Sequence, residues 1–316
     1  MNDTLLSILQ GILLTIAAPA LTGWIAWFKA GVQGRHRSWT YIFQPYLNLA
    51  TIFRTPATHP QTASWIFAAT PWVLFASYTW LIFIVPVFCE PLLAVDFIVV
   101  IYALGFGHFV ISLSGWDAGS AFGNMGGSRV MFFHFLTEIG LILFFAALTL
   151  RWRAINLKEI FDQHAQILIG LSNNIQEFPD NFGLVFLAFS LALIIMFESK
   201  RLPMDNPDTH LELTMTYKAI LLEFSGRDLA LIEWAEMVKT MFLFSMFSNL
   251  FLPIHRLAQG MAMPVFIGEL LILSCLLVLW ELRQARTRIQ QVSRFAWVTL
   301  VFSLISIILT ITFKAI

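Results

Sequence analysis

Long apolar runs separated by short polar segments dominate the chain. Runs at 5–28, 65–88, 92–114, 130–150, 182–198, 230–252, 261–280 and 295–313 each meet or approach the about 20 residues a helix needs to cross a hydrocarbon core. They lack the alternation of a barrel strand, and backbone groups in lipid must be satisfied within their own segment, so helices are expected. The pattern predicts an all-α integral membrane protein, one transmembrane domain over residues 1–316 with about eight spans. Between the first two runs, Tyr46, Leu49, Ala50 and Phe53 recur at helical spacing and predict an amphipathic helix lying at the membrane surface. The glycine-rich "GWDAGSAFGNMGGSR", 115–129, reads as a flexible turn.

Composition agrees: 58% of residues are hydrophobic and 12% charged, against about a quarter charged in soluble domains. If the loop after the first run faces the cytoplasm, 14 of the 19 Lys and Arg fall on inner segments, so both termini are expected outside. No basic region precedes the first run, since the first cation is Lys29, and no cleavable signal peptide is expected. Cys89 and Cys275 stand far apart, with no spacing for zinc or an iron-sulfur cluster, and no nucleotide loop is present. The formal net charge of zero gives nucleic-acid binding no electrostatic support.

The remaining charge is concentrated. Eight of the 19 acids lie within residues 198–236, between the fifth and sixth runs. Glu233, Glu236 and Lys239 are spaced i, i+3, i+6 on one face of an otherwise apolar helix, where charges normally point into a watery or protein-lined cavity. Glu138 lies one turn after His134 inside the fourth run, a spacing at which a carboxylate and an imidazole meet and could relay protons. Asp96, near the outer boundary, and Glu269 carry less weight, and His108 in "GFGHFVIS" reads as a packing or interhelical hydrogen-bonding residue.

The loop "ESKRLPMDNPDTHLELTM", followed by "LLEFSG", resembles the signature loop of the NADH dehydrogenase subunit 1 (NuoH-like) family. Its pattern falls on Glu198, Arg201, Pro203, Asp205, Pro207, Glu212, Leu213, Glu223, Phe224, Ser225 and Gly226. "DNP-THLELTM" is most similar to the branch found in formate hydrogenlyase and other complex I-like nickel-iron hydrogenases. Gly34, Arg35, Gln44 and Pro45 resemble the family's first loop, and Gly115, Trp116, Gly127, Arg129 and Glu138 its third-to-fourth-helix junction. Asn48, Thr51, Lys218 and His210 depart from its usual Asp, Lys, Glu and Glu.

The resemblance implies a membrane-anchor and proton-coupling subunit of an energy-converting hydrogenase in a bacterial or archaeal cytoplasmic (inner) membrane. It implies an acidic path of Glu138, Glu198, Asp205, Asp208, Glu212, Glu223, Glu233 and Glu236, with Arg129, Arg201 and Lys239 balancing charge. Arg35, Arg37, Gln44 and Pro45 would contact the soluble arm. No catalytic centre, metal or cofactor is expected in this chain; the nickel-iron centre and iron-sulfur clusters would sit in partner hydrogenase large and small subunits, beside antiporter-like membrane subunits. A quinone-site subunit of an NADH:quinone oxidoreductase and a free-standing ion-coupled transporter are the alternatives, the latter weakened by the lack of a visible internal repeat.

Overall fold

The computed structural model describes residues 3–35, 38–170, 178–201, 216–253, 260–283 and 289–314. Over these the chain is helical: α1 (Asp3–Val32), a 3-10 turn (Trp39–Phe43), α2 (Gln44–Arg54), α3 (Trp65–Ile82), α4 (Phe97–Asp117), α5 (Ala121–Trp152), α6 (Leu157–Gly170), α7 (Phe178–Glu198), α8 (Tyr217–Leu221), α9 (Gly226–Phe251), α10 (Ala262–Arg283) and α11 (Ile289–Lys314). Five helices, α1, α3, α4, α5 and α10, are long and apolar enough to cross a membrane. Shorter apolar stretches occupy Gly183–Glu198 of α7 and Ala296–Thr312 of α11. This is a multi-pass membrane protein. α9, 26 residues long, carries Glu233, Glu236 and Lys239 along its length.

The bundle has two distinct ends. At one, α1, α7 and α10 finish together: Glu281 accepts Lys29 Nζ at 2.8 Å and Arg201 Nη1 at 3.1 Å. The N-termini of α3, α5 and α9 gather at this end too. Asp117 Oδ2 accepts the Ser64 amide at 2.8 Å and the Phe67 amide at 3.3 Å, satisfying donors that the first turn of α3 leaves open. Thr58 donates its amide to Ser225 Oγ, the N-cap of α9, at 2.8 Å.

The opposite end is built around residues 83–96, and here the predicted second span ends early. The helix expected over 65–88 stops at Ile82 because Pro86 lacks an amide hydrogen and disfavours helical geometry at the residue before it. The irregular backbone that follows is buried, and such backbone survives at membrane depth only when its polar groups find partners. Gln10 of α1 supplies them: its Nε2 donates to Val85 O at 2.8 Å, and its Oε1 accepts the amides of Val87, Phe88 and Cys89 at 3.3, 3.0 and 3.1 Å. Asp96 bridges to Asn156, and α4 starts at Phe97 rather than 92.

The glycine-rich stretch also differs from expectation. Residues 121–129 are the first turns of α5, capped by Ser120 Oγ, which accepts the Gly123 amide at 2.8 Å. Glycine serves close approach here: a Cβ on Gly115 would stand 2.8 Å from Gly123 O, so α4 and α5 touch backbone to backbone, as small-residue helix contacts in membranes do. α2 forms as predicted by spacing, with Leu49 buried, Tyr46 Oη donating to Ile16 O at 2.6 Å and Phe53 edge-on to Trp234 at 6.4 Å. Ala50, expected on the same face, is exposed.

Candidate functional site: a buried ladder of ionisable side chains

Five helices contribute to one line of titratable groups through the bundle. At its first end, α8 gives Tyr217, whose hydroxyl donates to Glu236 Oε1 at 2.9 Å. Lys200, just beyond α7, pairs with the same oxygen at 2.6 Å, and Lys239 reaches Glu236 Oε2 at 3.1 Å. One turn of α9 thus places Glu236 and Lys239 side by side, the i, i+3 contact that the sequence spacing anticipates. Lys239 Nζ then meets Glu198 Oε2, at the end of α7, at 3.3 Å.

Glu198 is the hub. Its Oε2 lies 2.7 Å from His108 Nε2 on α4, and its Oε1 lies 3.6 Å from His134 Nδ1 on α5. The two imidazoles stack with centroids 4.0 Å apart and planes 17° from parallel. His134 Nε2 stands 3.8 Å from Glu138 Oε2, completing the i, i+4 pair. The two His134 separations are longer than a direct hydrogen bond and within the reach of one bridging water or a small ring rotation. Lys239 is wholly buried and Glu198 only 5% exposed, whereas Glu138 is 28% exposed. The ladder therefore runs from a sealed middle to a carboxyl group that emerges on the flank of the bundle.

Local sequence explains the fit. Gly107 lets α4 lie against Tyr78, since a Cβ there would collide with the tyrosine ring, and His108 follows directly. Lys239 Nζ sits 5.3 Å over that ring. At the other extreme, Lys200, Arg201, Tyr217, Glu233 and Glu236 line a cavity of about 180 Å³. Burial, reinforced by the Glu236 carboxylate, holds the Tyr217 hydroxyl well above the ordinary tyrosine range, so it remains a donor. Burial also pulls Lys200 well below the ordinary lysine range, with Glu236 opposing the shift.

His108, His134 and Glu198 offer three buried ligand atoms all within 4.8 Å of one another, a set that by type suits a zinc-class ion. The Lys239 ammonium, 3.3 Å from Glu198 and 3.5 Å from His108 Nε2, already supplies the positive charge such an ion would bring. The donors fit a proton-holding cluster better than a metal centre.

Of the residues singled out by sequence, the structure brings Glu138, Glu198, Glu236 and Lys239 into the ladder and Glu233 to its cavity. Arg201 pairs with Glu281 of α10. Glu223 accepts a hydrogen bond from Ser120 Oγ, between α8 and α5. Arg129 is half-buried two turns into α5. Arg35 and Gln44 are exposed and Pro45 half-buried around α2. Arg37, Asp205, Asp208 and Glu212 lie outside the described residues.

Sequence reasoning missed Lys200, Tyr217 and the Lys29, Glu281 pair as participants, and gave His108 only an interhelical hydrogen bond. A lone histidine beside two glycines in an apolar run, and a lone Glu in the last turn of another, were the available signals. Glu269 accepts a hydrogen bond from Ser248 on α9.

Comparison with known proteins agrees with this architecture. The family model described as NADH dehydrogenase matches residues 5–311. Hydrogenase-4 component C of Escherichia coli is 29% identical over 266 residues, covering 83% of this chain and 79% of that protein. Formate hydrogenlyase subunit 4 of the same organism is 24% identical over 317 residues, covering 97% and 98%. A chain from the structure of the membrane-bound sulfane sulfur reductase, an archaeal respiratory membrane complex, superimposes with TM-score 0.80 at 17% identity, covering 98% of this chain and all of that one. With its fold shared at that level and the family pattern matched from residue 5 to residue 311, the chain belongs to the NADH dehydrogenase family of membrane proteins.

Proposed function

We propose that this chain is the membrane-anchor and proton-coupling subunit of a complex I-like, energy-converting nickel-iron hydrogenase of the formate hydrogenlyase type. Its similarity over nearly full length to a formate hydrogenlyase subunit supports the setting. The observation that carries the coupling role is the ladder, because every rung is a Brønsted group with a second such group within 4 Å.

The chain's own residues would move a proton as follows. Glu236 is shared by Lys200, Tyr217 and Lys239, and Glu198 by Lys239, His108 and His134. Lys239 is attracted to both carboxylates. A unit charge ~3 Å away contributes ~5 kcal/mol at an effective dielectric of ~20, enough to redistribute protons along the line. Neutralising Glu236 from the cavity side biases Lys239 toward Glu198 and weakens that carboxylate's hold on the His108 proton. His134 then exchanges with Glu138 at the flank. In this reading a soluble hydrogenase module docks at the end holding α2 and the cavity, which faces the cytoplasm. The nickel-iron centre and iron-sulfur clusters belong to that module. Antiporter-like membrane subunits cover the flank where Glu138 emerges among exposed Tyr102, Phe106 and Phe135.

Mild solubilisation of the tagged chain from its native membrane, followed by mass spectrometry of the accompanying subunits, tests the setting. Nickel-iron hydrogenase and antiporter-like chains are expected. A chain that purifies alone would overturn it.

A further inference from the structure

A second feature lies beside the ladder's cavity, with which it shares Ser199, Lys200 and Arg201. α7 and α10 bring their C-terminal ends together at the Arg201–Glu281 pair, and open space separates them further along. The gap between them is an apolar cleft of about 470 Å³, floored by Phe244 and Phe247 of α9 and walled by Ala188, Ala192, Leu273 and Leu277. Phe189, Val185 and Leu276 at its rim are exposed, so the cleft opens on the lipid-facing side of the bundle. It ends at Met196 and Trp280.

A separate polar cavity of about 380 Å³ lies nearby, lined within one turn of α7 by Ser199 and at the next residue of α10 by Glu281. Four cations line it: Lys29, Arg35, Lys200 and Arg201. Among the described residues Glu281 is the one acid in that lining and is already bound by Lys29 and Arg201, while Lys200 is paired with Glu236 outside it. Among those same residues positive charge is in excess, chiefly at Arg35. Arg201 Nε is buried there with no hydrogen-bond partner among the described residues. A basic pocket between helix ends at the membrane boundary, within one helical turn of an apolar cleft, has the chemistry of a phospholipid site.

We propose that the seam between α7 and α10 binds one anionic phospholipid, with an acyl chain in the cleft and its phosphate among Arg35, Arg201 and Lys29. A neutral headgroup would leave the positive charge of the described lining uncompensated, which is why the occupant is an anionic lipid rather than a neutral isoprenoid. The bound lipid would also fill the space between α7 and α10, whose ends meet at the Arg201–Glu281 pair.

The test uses the protein purified with its accompanying subunits in mild detergent, delipidated and exposed to mixed micelles of phosphatidylglycerol and phosphatidylcholine. Native mass spectrometry then counts retained lipid. The wild type should retain phosphatidylglycerol in preference to phosphatidylcholine. Arg35→Gln, at an exposed position, should weaken phosphatidylglycerol retention about fivefold, the effect of about one basic residue near an anionic headgroup. Ala192→Trp, which fills the cleft, should remove the retained lipid without changing Arg35. Equal retention of both lipids, or phosphatidylglycerol binding indifferent to both substitutions, would overturn the proposal. So would an isoprenoid quinone displaced by Ala192→Trp while phosphatidylglycerol stays bound.

Discussion

Glu198 holds together three helices besides its own. Its two oxygens serve Lys239, His108 and His134, so removing it takes one of two carboxylate partners from the buried Lys239 ammonium and the carboxylate that both imidazoles share. Breaking a buried pair from one side typically costs about 3–5 kcal/mol, whereas replacing both partners costs far less. Glu198→Ala should therefore lower the thermal unfolding midpoint in detergent strongly, and combining it with Lys239→Met should recover most of the loss. Additive losses in the double variant would show that the two side chains are not coupled. Half of this was readable from the chain: Glu198 belongs to the family loop, and Glu236 and Lys239 share a helical face. The remainder was not, because His108 stands far from Glu198 in sequence, and Lys200 and Tyr217 reach Glu236 only by contact between separate elements. Nothing in one chain's local spacing states that α4, α7 and α9 meet at one point.

Among the helices, spacing and apolar length located the segments well, and proline and glycine decided where they ended. Pro86 stops α3 inside a run that hydropathy alone continues to 88. The glycines of 115–127, which suggest a turn by composition, instead allow α4 and α5 to pack at backbone contact. Gln10, one polar side chain within an apolar helix, carries the irregular segment after α3. Gln10→Leu would leave three amides and a carbonyl buried without that partner, each costing about 1–3 kcal/mol. Local opening should follow, read as faster maleimide labelling of Cys89 at unchanged overall helicity. An unchanged labelling rate would mean that the segment is held by other contacts. Gly107→Val acts on packing instead, since the added side chain collides with Tyr78 and would shift His108 from Glu198. Loss of stability of about 1–3 kcal/mol or more is expected for such overpacking, measured by thermal unfolding.

Over the whole molecule, charge is distributed by depth. One end gathers the cationic cavity, the Glu281 cluster and α2; the middle holds the sealed rungs; the flank of α4 and α5 exposes Glu138 among aromatic side chains. Such an arrangement suits a subunit that receives an electrostatic signal at one end and passes a proton to a neighbour within the membrane. Lys158, paired with Glu90 at the opposite end and partly exposed, stands outside this line and provides a control of equal conservatism. In the proposed function the ladder conducts protons out through Glu138. The number of protons moved per electron by the intact complex in sealed vesicles, for Glu138→Gln and Lys158→Gln side by side, tests this. Glu138→Gln should lower the ratio at least tenfold while dye-linked hydrogen oxidation persists, and Lys158→Gln should match the wild type. A wild-type ratio in Glu138→Gln would contradict it.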